Sequence, residues 1–281
     1  MKKLYGVVIL YNPEKQIIEN IKTYLPYLER LYVMDNSEKV NENYVKLIKQ
    51  ISEKICYICL GKNYGISYPI NRVINRLPGD SWLLTMDQDS SFYRKSFKNY
   101  IEIIDKLDNN VYGISPQIIY KDKFIKLKCN GSLKLLDKCI QSGAIFNVEI
   151  LKKVGNFDEN LFIDGVDTEI CYRCNKMGYK LYRNNKGILL HHLGNEINNV
   201  RSKLLPFKVT QHNRIRRYYI VRNNLYLKDK YPNKKIKIFL YLIVGIIKII
   251  LLDDNRISKL KAAWKGYIDY KNNIFGRRVD I

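Results

Sequence analysis

The run Trp82-Leu83-Leu84-Thr85-Met86 closes on Asp87-Gln88-Asp89. Placing paired carboxylates at the end of a buried strand is costly unless a cation neutralises them. A hard divalent ion with oxygen ligands does so and grips a diphosphate at the same time. Alone, an acid-x-acid triplet is equally a surface turn. Its company strengthens the reading. Asp35-Asn36-Ser37 offers short hydrogen-bonding side chains suited to a base or a ribose, and Gly65, flanked by Asn63 and Asn71, permits close backbone approach. Asx-turn chemistry explains any one of these clusters. Three at successive strand ends point to a ligand crevice.

Further along, Asp164-Gly165-Val166-Asp167-Thr168-Glu169 places Asp167 at a helix start, where the dipole and unpaired N–H groups favour an anion. An Asp there is usually a cap. It also serves as a general base when an acceptor hydroxyl lies within reach. His191 and His192 are two of the chain's three histidines, and they end an apolar run, Gly187–His191. Such a pair is commonly structural; beside a metal crevice it becomes a ligand candidate.

Alternating elements are needed to bring these residues together. Leu4–Leu10, Arg30–Met34, Lys54–Leu60 and Ser81–Met86 read as buried strands. Helical segments lie near Glu14–Leu28, Asn41–Ser52 and Ile66–Leu77, with another near Thr168–Met177. This alternation predicts right-handed crossovers and a mostly parallel sheet. Ligands then bind outside the carboxyl ends of the strands, so all four ends face one crevice. Turn signals at Asn130-Gly131 and Gly155-Asn156 mark a mixed second half. Neither G-x-G-x-x-G after the first strand nor G-x-x-x-x-G-K-[ST] occurs, which argues against a dinucleotide dehydrogenase and a P-loop NTPase.

The 281 residues carry 49 Lys+Arg against 27 Asp+Glu, a net +22. From Arg201 onward there are 20 basic and 5 acidic residues, so most of the excess sits in that stretch. Such a field seeks polyanions, including anionic headgroups. The apolar core of the tail, Ile236–Leu252, is interrupted by Lys237 and Lys248, which makes it too short to span a bilayer. An interfacial helix that snorkels its lysines fits better than a span, with a core helix as the alternative. The opening apolar run stops at Asn12-Pro13 and reads as a strand rather than a signal peptide. The cysteines are then expected as reduced thiols. The C-x-x-C pairs Cys56/Cys59 and Cys171/Cys174 fit a strand and a helix rather than a zinc knuckle.

The ordered set Val7–Asn12, Met34-Asp35-Asn36-Ser37, Asn63-Tyr64-Gly65 and Leu84–Ser90 resembles the inverting family 2 glycosyltransferases. Gln141-Ser142-Gly143-Ala144, Gly155–Glu159, Val166–Arg173 and His191–Gly194 continue the resemblance. The Asp-Gln-Asp-Ser form, with Arg217–Asn223 downstream, is most similar to the bacterial rhamnosyltransferase branch. The resemblance covers nearly the whole chain, through Lys265-Gly266-Tyr267. It implies an α/β, Rossmann-like GT-A domain over residues 1–200, with a nucleotide half (1–110) and an acceptor half (111–200). A basic, amphipathic helical region, 201–281, follows.

By resemblance, Tyr11, Asp35, Asn36, Asn63, Gly65 and Asn71 hold the nucleotide. Asp87 contacts ribose or metal, Asp89 ligates the metal, His191 contacts metal or diphosphate, and Arg222 clamps the diphosphate. Asp167 is the implied base, with Ser142, Gly143, Asp164 and Glu169 on the acceptor side. Where many members carry Glu-Asp, this chain has Val166-Asp167. The implied cofactor is Mn²⁺ or Mg²⁺. The implied donor is dTDP-β-L-rhamnose, with a UDP-hexose as alternative, and the acceptor a lipid-linked glycan. The expected location is the cytoplasmic face of an anionic membrane, to which the tail attaches. Nucleic-acid binding, suggested by charge and 23 tyrosines, lacks a recognisable module. A nucleotidyltransferase would carry a glycine-rich basic loop where Tyr11-Asn12-Pro13 stands.

Overall fold

A computed structural model describes residues 2–120, 133–191, 212–253 and 255–279. Strands β1 (Leu4–Leu10), β2 (Leu31–Asp35), β3 (Ile55–Cys59) and β4 (Trp82–Asp87) alternate with helices α1 (Gln16–Lys22), α2 (Glu42–Gln50) and α3 (Ser67–Ile74). These strands pair in parallel, in the order β3-β2-β1-β4. Their carboxyl ends therefore share one side. Val8, Leu10, Val33, Leu84 and Met86 belong to one hydrophobic core, as the apolar runs require.

Beyond β4 the sheet becomes mixed. Short β5 (Ser91–Phe92) and α4 (Ser96–Ile101) lead into β6 (Val111–Tyr120). Then come β7 (Leu133–Leu136), β8 (Ile145–Asn147), α5 (Val148–Val154), α6 (Val166–Lys176) and β9 (Lys180–His191). Strand β8 pairs antiparallel with both β4 and β6, while β9 runs parallel to β6. The mostly parallel sheet expected from the sequence thus holds for the first half. Asn130-Gly131 and His192–Gly194 lie outside the described residues.

The chain forms two compact units, one of Met1–Asp158 with Asp167–His192, the other of Glu159–Val166 with Leu193–Ile281. The second contains α7 (Arg214–Lys230), α8 (Lys235–Leu252) and α9 (Arg256–Lys271). Helices α7 and α9 approach so closely that a Cβ on Gly266 would lie 2.5 Å from the Tyr218 carbonyl oxygen. Tyr218 Oη donates to Asp269 Oδ2 at 2.5 Å. Helix α8 buries only Ile238 and Ile249. Ile236, Phe239, Leu240, Val244, Ile247 and Leu251 are exposed, so the alternative of a core helix fails. Among the described residues no helix is long and apolar enough to cross a membrane.

Candidate active site

Two parallel pairings build the centre of the site. Asp35 is opposite Leu10 on one side of β1, and Asp87 is opposite Ile9 on the other. Asp35 is buried and accepts from the Ser37 N–H at 2.8 Å and from the Tyr57 hydroxyl. Burial and the adjoining carboxylate push the Tyr57 hydroxyl far up, so it remains a donor to Asp35.

Asn36 ties this strand end to the loop after β3. Its amide donates to the Gly65 carbonyl at 2.9 Å and accepts from the Tyr64 N–H at 3.1 Å. Asn63 accepts from the Gly65 N–H at 2.9 Å, and Gly65 takes φ +77°, left-handed geometry that glycine tolerates. Asn71 exchanges two 2.9 Å hydrogen bonds with the Phe157 backbone. Asn36 and Asn71 thus hold backbone in place. Tyr11 is 43% exposed, and its ring is available for stacking on a base.

The antiparallel pairing of β5 with β9 sets Ser91 opposite Leu190, which brings His191 back to the Asp-Gln-Asp segment. Ligand atoms of Asp87, Asp89 and His191 all lie within 4.8 Å of one another. The three residues expected at the metal converge here. Ser90 Oγ is 2.7 Å from His191 Nδ1, and His191 Nδ1 is 3.7 Å from Asp89 Oδ1. Gln141 donates to Asp87 through its amide, while its buried Oε1 has no partner among the described residues. Gln88 clasps the Tyr11 backbone in both directions, at 2.9 and 3.2 Å, and thereby closes β1 onto β4. Sequence reasoning assigned no role to Gln88, Ser90, Gln141 or Tyr57. Gln88 and Ser90 adjoin the acids, and Gln141 opens the motif Gln141-Ser142-Gly143-Ala144, so only Tyr57 gave no local signal.

Ser142 and Gly143, expected on the acceptor side, lie beneath the strand end. Ser142 is fully buried; its Oγ accepts from the Asp87 N–H at 3.1 Å and donates to Ser90 Oγ at 2.9 Å. Gly143 donates to the Thr85 carbonyl at 2.8 Å, and a Cβ there would lie 2.9 Å from Leu189 and Pro116. Ser142 thus supports Asp87 and Ser90, and Gly143 is packed against the Thr85 strand end.

Asp167 is the second residue of α6, which begins two residues before the expected Thr168. Its Oδ1 accepts from the Thr168 N–H at 2.7 Å. Burial raises its carboxyl pKa, against the pull of that N–H and of Lys138. A raised carboxylate suits a base that must later hold a proton. Glu169 differs. It is fully buried and gives both oxygens to Arg173, at 3.0 and 2.5 Å, so it is a structural ion and has no acceptor face.

Arg222 and Asp164 belong to the second unit. Arg222 is fully buried; it donates to the carbonyls of Gly276 at 2.9 Å and Asn160 at 3.3 Å and packs on Tyr218, Tyr219 and Phe275. Its charge is committed internally, which removes the basis for a diphosphate clamp. Asp164, at φ +60°, is held by Arg216 Nε at 3.0 and 3.2 Å. Neither C-x-x-C pair contributes to a group of metal-ligating side chains among the described residues.

Residues 7–180, which contain Asp35, Asp87, Asp89 and Asp167, match the model of Glycosyl transferase family 2. The chain belongs to this family. The transferase is 28% identical to the dTDP-rhamnosyl transferase RfbF of Shigella flexneri over 97% of both chains. Its fold is similar to that of a mannosyltransferase, PcManGT from Pyrobaculum calidifontis, solved with GDP-Man and Mn²⁺. There the TM-score is 0.59 at 14% identity, over 97% of this chain and 78% of that one. It is also similar to GalNAc-T7, solved with UDP, GalNAc and Mn²⁺, with a TM-score of 0.57 at 14% identity. That match covers 68% of this transferase and 44% of the GalNAc-T7 chain, less than half its length. The GT-A fold of this family 2 transferase agrees with the expectation from its motifs.

Proposed function

We propose that this glycosyltransferase moves L-rhamnose from dTDP-β-L-rhamnose to a lipid-linked glycan with inversion, in bacterial surface polysaccharide synthesis. The observation that carries the chemistry is the convergence of Asp87, Asp89 and His191 beside the Asp35 strand end. The choice of sugar rests on likeness to RfbF along the full length.

The donor's base and ribose lie against Tyr11, Asp35 and the Asn63–Gly65 loop. Asp87, Asp89 and His191 hold a divalent ion. Two carboxylates suit Mg²⁺ or Mn²⁺ and an imidazole suits a transition ion, so the mixed set favours Mn²⁺. When bound, that ion supplies positive charge to the diphosphate leaving group. The acceptor hydroxyl attacks the anomeric carbon opposite the diphosphate, and Asp167 takes its proton. One base and no protein nucleophile give inversion at the anomeric carbon, and hence an α-L-rhamnoside.

The tail's charge, with the exposed apolar residues of α8 between Lys235, Lys237 and Lys248, suits an anionic membrane face. A UDP-hexose is the second donor reading, since the Mn²⁺-containing GalNAc-T7 structure holds UDP. A screen of nucleotide sugars with Mn²⁺ or Mg²⁺, scored by donor hydrolysis and thermal shift, decides between them. dTDP-rhamnose is expected to give the largest response, and a larger response to a UDP-hexose replaces this reading with the second.

A further inference from the structure

Two neighbouring cavities in the helical unit, sharing His212, have no part in the chemistry above. The first, about 500 Å³, is lined by His212, Arg214, Arg216, Ser258 and Lys259, with the N-caps Asn213 and Asn255 of α7 and α9. Its size is that of a small-molecule pocket, about 300–1,000 Å³. The charges around it do not cancel. Asp164 offsets Arg216, and buried Asp253 offsets Lys259. Arg214 and Arg217 add to the cationic side. The cation density is felt by His212, whose pKa is pushed down to about 4, first by burial and then by Arg216, Arg217 and Lys259. At neutral pH His212 is therefore an uncharged hydrogen-bonding group in a basic surround.

The second cavity, about 220 Å³, continues from His212 along α8. Its walls are Ile220, Val221, Tyr241, Val244 and Ile249, and Arg217 stands among them. Arg217 is only 5% exposed, and its Nε has no partner among the described residues. A buried cation without full pairing costs stability, and it persists where something anionic completes it. An apolar slot carrying an incompletely paired arginine, opening beside a basic pocket, has the complementarity of an amphiphile: a phosphate head joined to a hydrocarbon chain.

We propose that these two cavities, which meet at His212, bind the phosphorylated prenyl carrier of the acceptor glycan. Arg217 and Arg214 meet its phosphate, and the hydrocarbon lies along α8. This rests on the lipid-linked acceptor proposed above and adds the place where the lipid is held. The occupant is the carrier rather than bulk phospholipid, because a cavity of about 220 Å³ has room for part of a single chain, whereas a diacyl lipid presents two.

The test uses the full chain in detergent, with a C15 prenyl diphosphate as probe and the C15 prenyl alcohol, inorganic diphosphate and phosphatidylglycerol micelles as comparators. Two variants are informative. Arg217→Met removes the incompletely paired cation and leaves an apolar wall. Gly245→Leu fills the slot, since a Cβ there meets only the Arg217 guanidinium, at 3.8 Å, and leucine favours a helix more than glycine does. Saturable binding of the prenyl diphosphate is expected, at least tenfold tighter than either comparator half. Both variants are expected to weaken it at least tenfold with no fall in melting temperature and with dTDP affinity unchanged.

If the wild type binds the prenyl diphosphate and both variants bind it equally well, the cavity assignment is wrong while the lipid-linked acceptor stands. If the wild type binds no better than to the alcohol and inorganic diphosphate, the lipid-linked acceptor fails too. Phosphatidylglycerol competing at equal affinity identifies a membrane-lipid site and overturns the carrier. A melting temperature lowered in both variants without loss of binding makes Arg217 structural and also overturns it.

Discussion

Ser90 Oγ lies 2.7 Å from His191 Nδ1, and the same oxygen accepts from Ser142 and faces Asp89 Oδ1 at 3.4 Å. If Ser142 donates to Ser90 and Ser90 donates to Asp89, Nδ1–H of His191 is the remaining donor to Ser90. In that tautomer Nε2 carries the lone pair, and an imidazole that ligates through Nε2 is oriented by the outer partner of its Nδ1–H. One serine thus links the histidine to an acid and to the buried turn behind them.

Ser90→Ala is accordingly expected to weaken Mn²⁺ affinity by about 10–100-fold, the usual effect of losing such an outer partner. Calorimetry with Mn²⁺ in the presence of dTDP reads it, with the melting temperature as control. A variant that binds Mn²⁺ as tightly as the wild type shows that the contact does not orient the imidazole.

Asp89→Ala removes a carboxylate that is about half exposed and so has little structural load. Metal-dependent dTDP binding is expected to vanish with the fold intact, and metal-independent binding through Tyr11 and Asp35 to remain weak. Unchanged metal-dependent affinity takes Asp89 out of the site.

Glu169 and Arg173 are a buried ion pair one turn apart on α6, with Arg173 also donating to the Val154 carbonyl at 2.6 Å. Removing one partner strands a charge, a loss of about 3–5 kcal/mol for a fully buried pair. Arg173 keeps some solvent contact, so Glu169→Ala is expected near the lower end of that range in urea unfolding. A variant that retains stability but loses turnover makes Glu169, rather than Asp167, the base.

Much of this site could be read from residue types, because a parallel α/β sheet ties function to strand ends. The expected strand Leu4–Leu10 matches β1, and β2–β4 differ from expectation by one residue at the ends. Expected helix Glu14–Leu28 breaks after Lys22, and a 3₁₀ turn carrying Pro26 follows; proline removes the donor that a continued helix needs. Asp35, Asp87 and Asp89 were legible because carboxylates after apolar runs are locally unusual. The histidine's place depended on β5 pairing with β9 across about a hundred residues, which no local period reveals. Asn71, Glu169 and Arg222 show the converse. Each has a polar side chain suited to a ligand, and each is consumed by a backbone or ion-pair partner distant in sequence or sealed from solvent. Residue type alone does not separate the two fates.

Asp167 gives the sharpest prediction, since its acid must be ionised to act and its environment opposes ionisation. Burial raises its pKa from the ordinary aspartate value, with the Thr168 N–H and Lys138 only partly offsetting. The acidic limb of turnover against pH is therefore expected above the ordinary Asp value of about 3.9. The sign for stability runs the other way from a salt-bridged acid. The folded state favours the protonated form, so stability contributed by Asp167 falls as pH rises from the unfolded pKa through the folded one. Asparagine cannot ionise, yet its Oδ1 can keep the 2.7 Å contact from Thr168. Asp167→Asn is thus expected to melt no lower than the wild type at neutral pH and to bind dTDP and Mn²⁺ normally. Turnover should drop by about 10²–10⁴-fold, the contribution of a positioned general base, with the residual rate losing its acidic limb. Turnover within a few-fold of the wild type, or an unchanged pH limb, makes Asp167 a helix-end residue and moves the proton acceptor elsewhere.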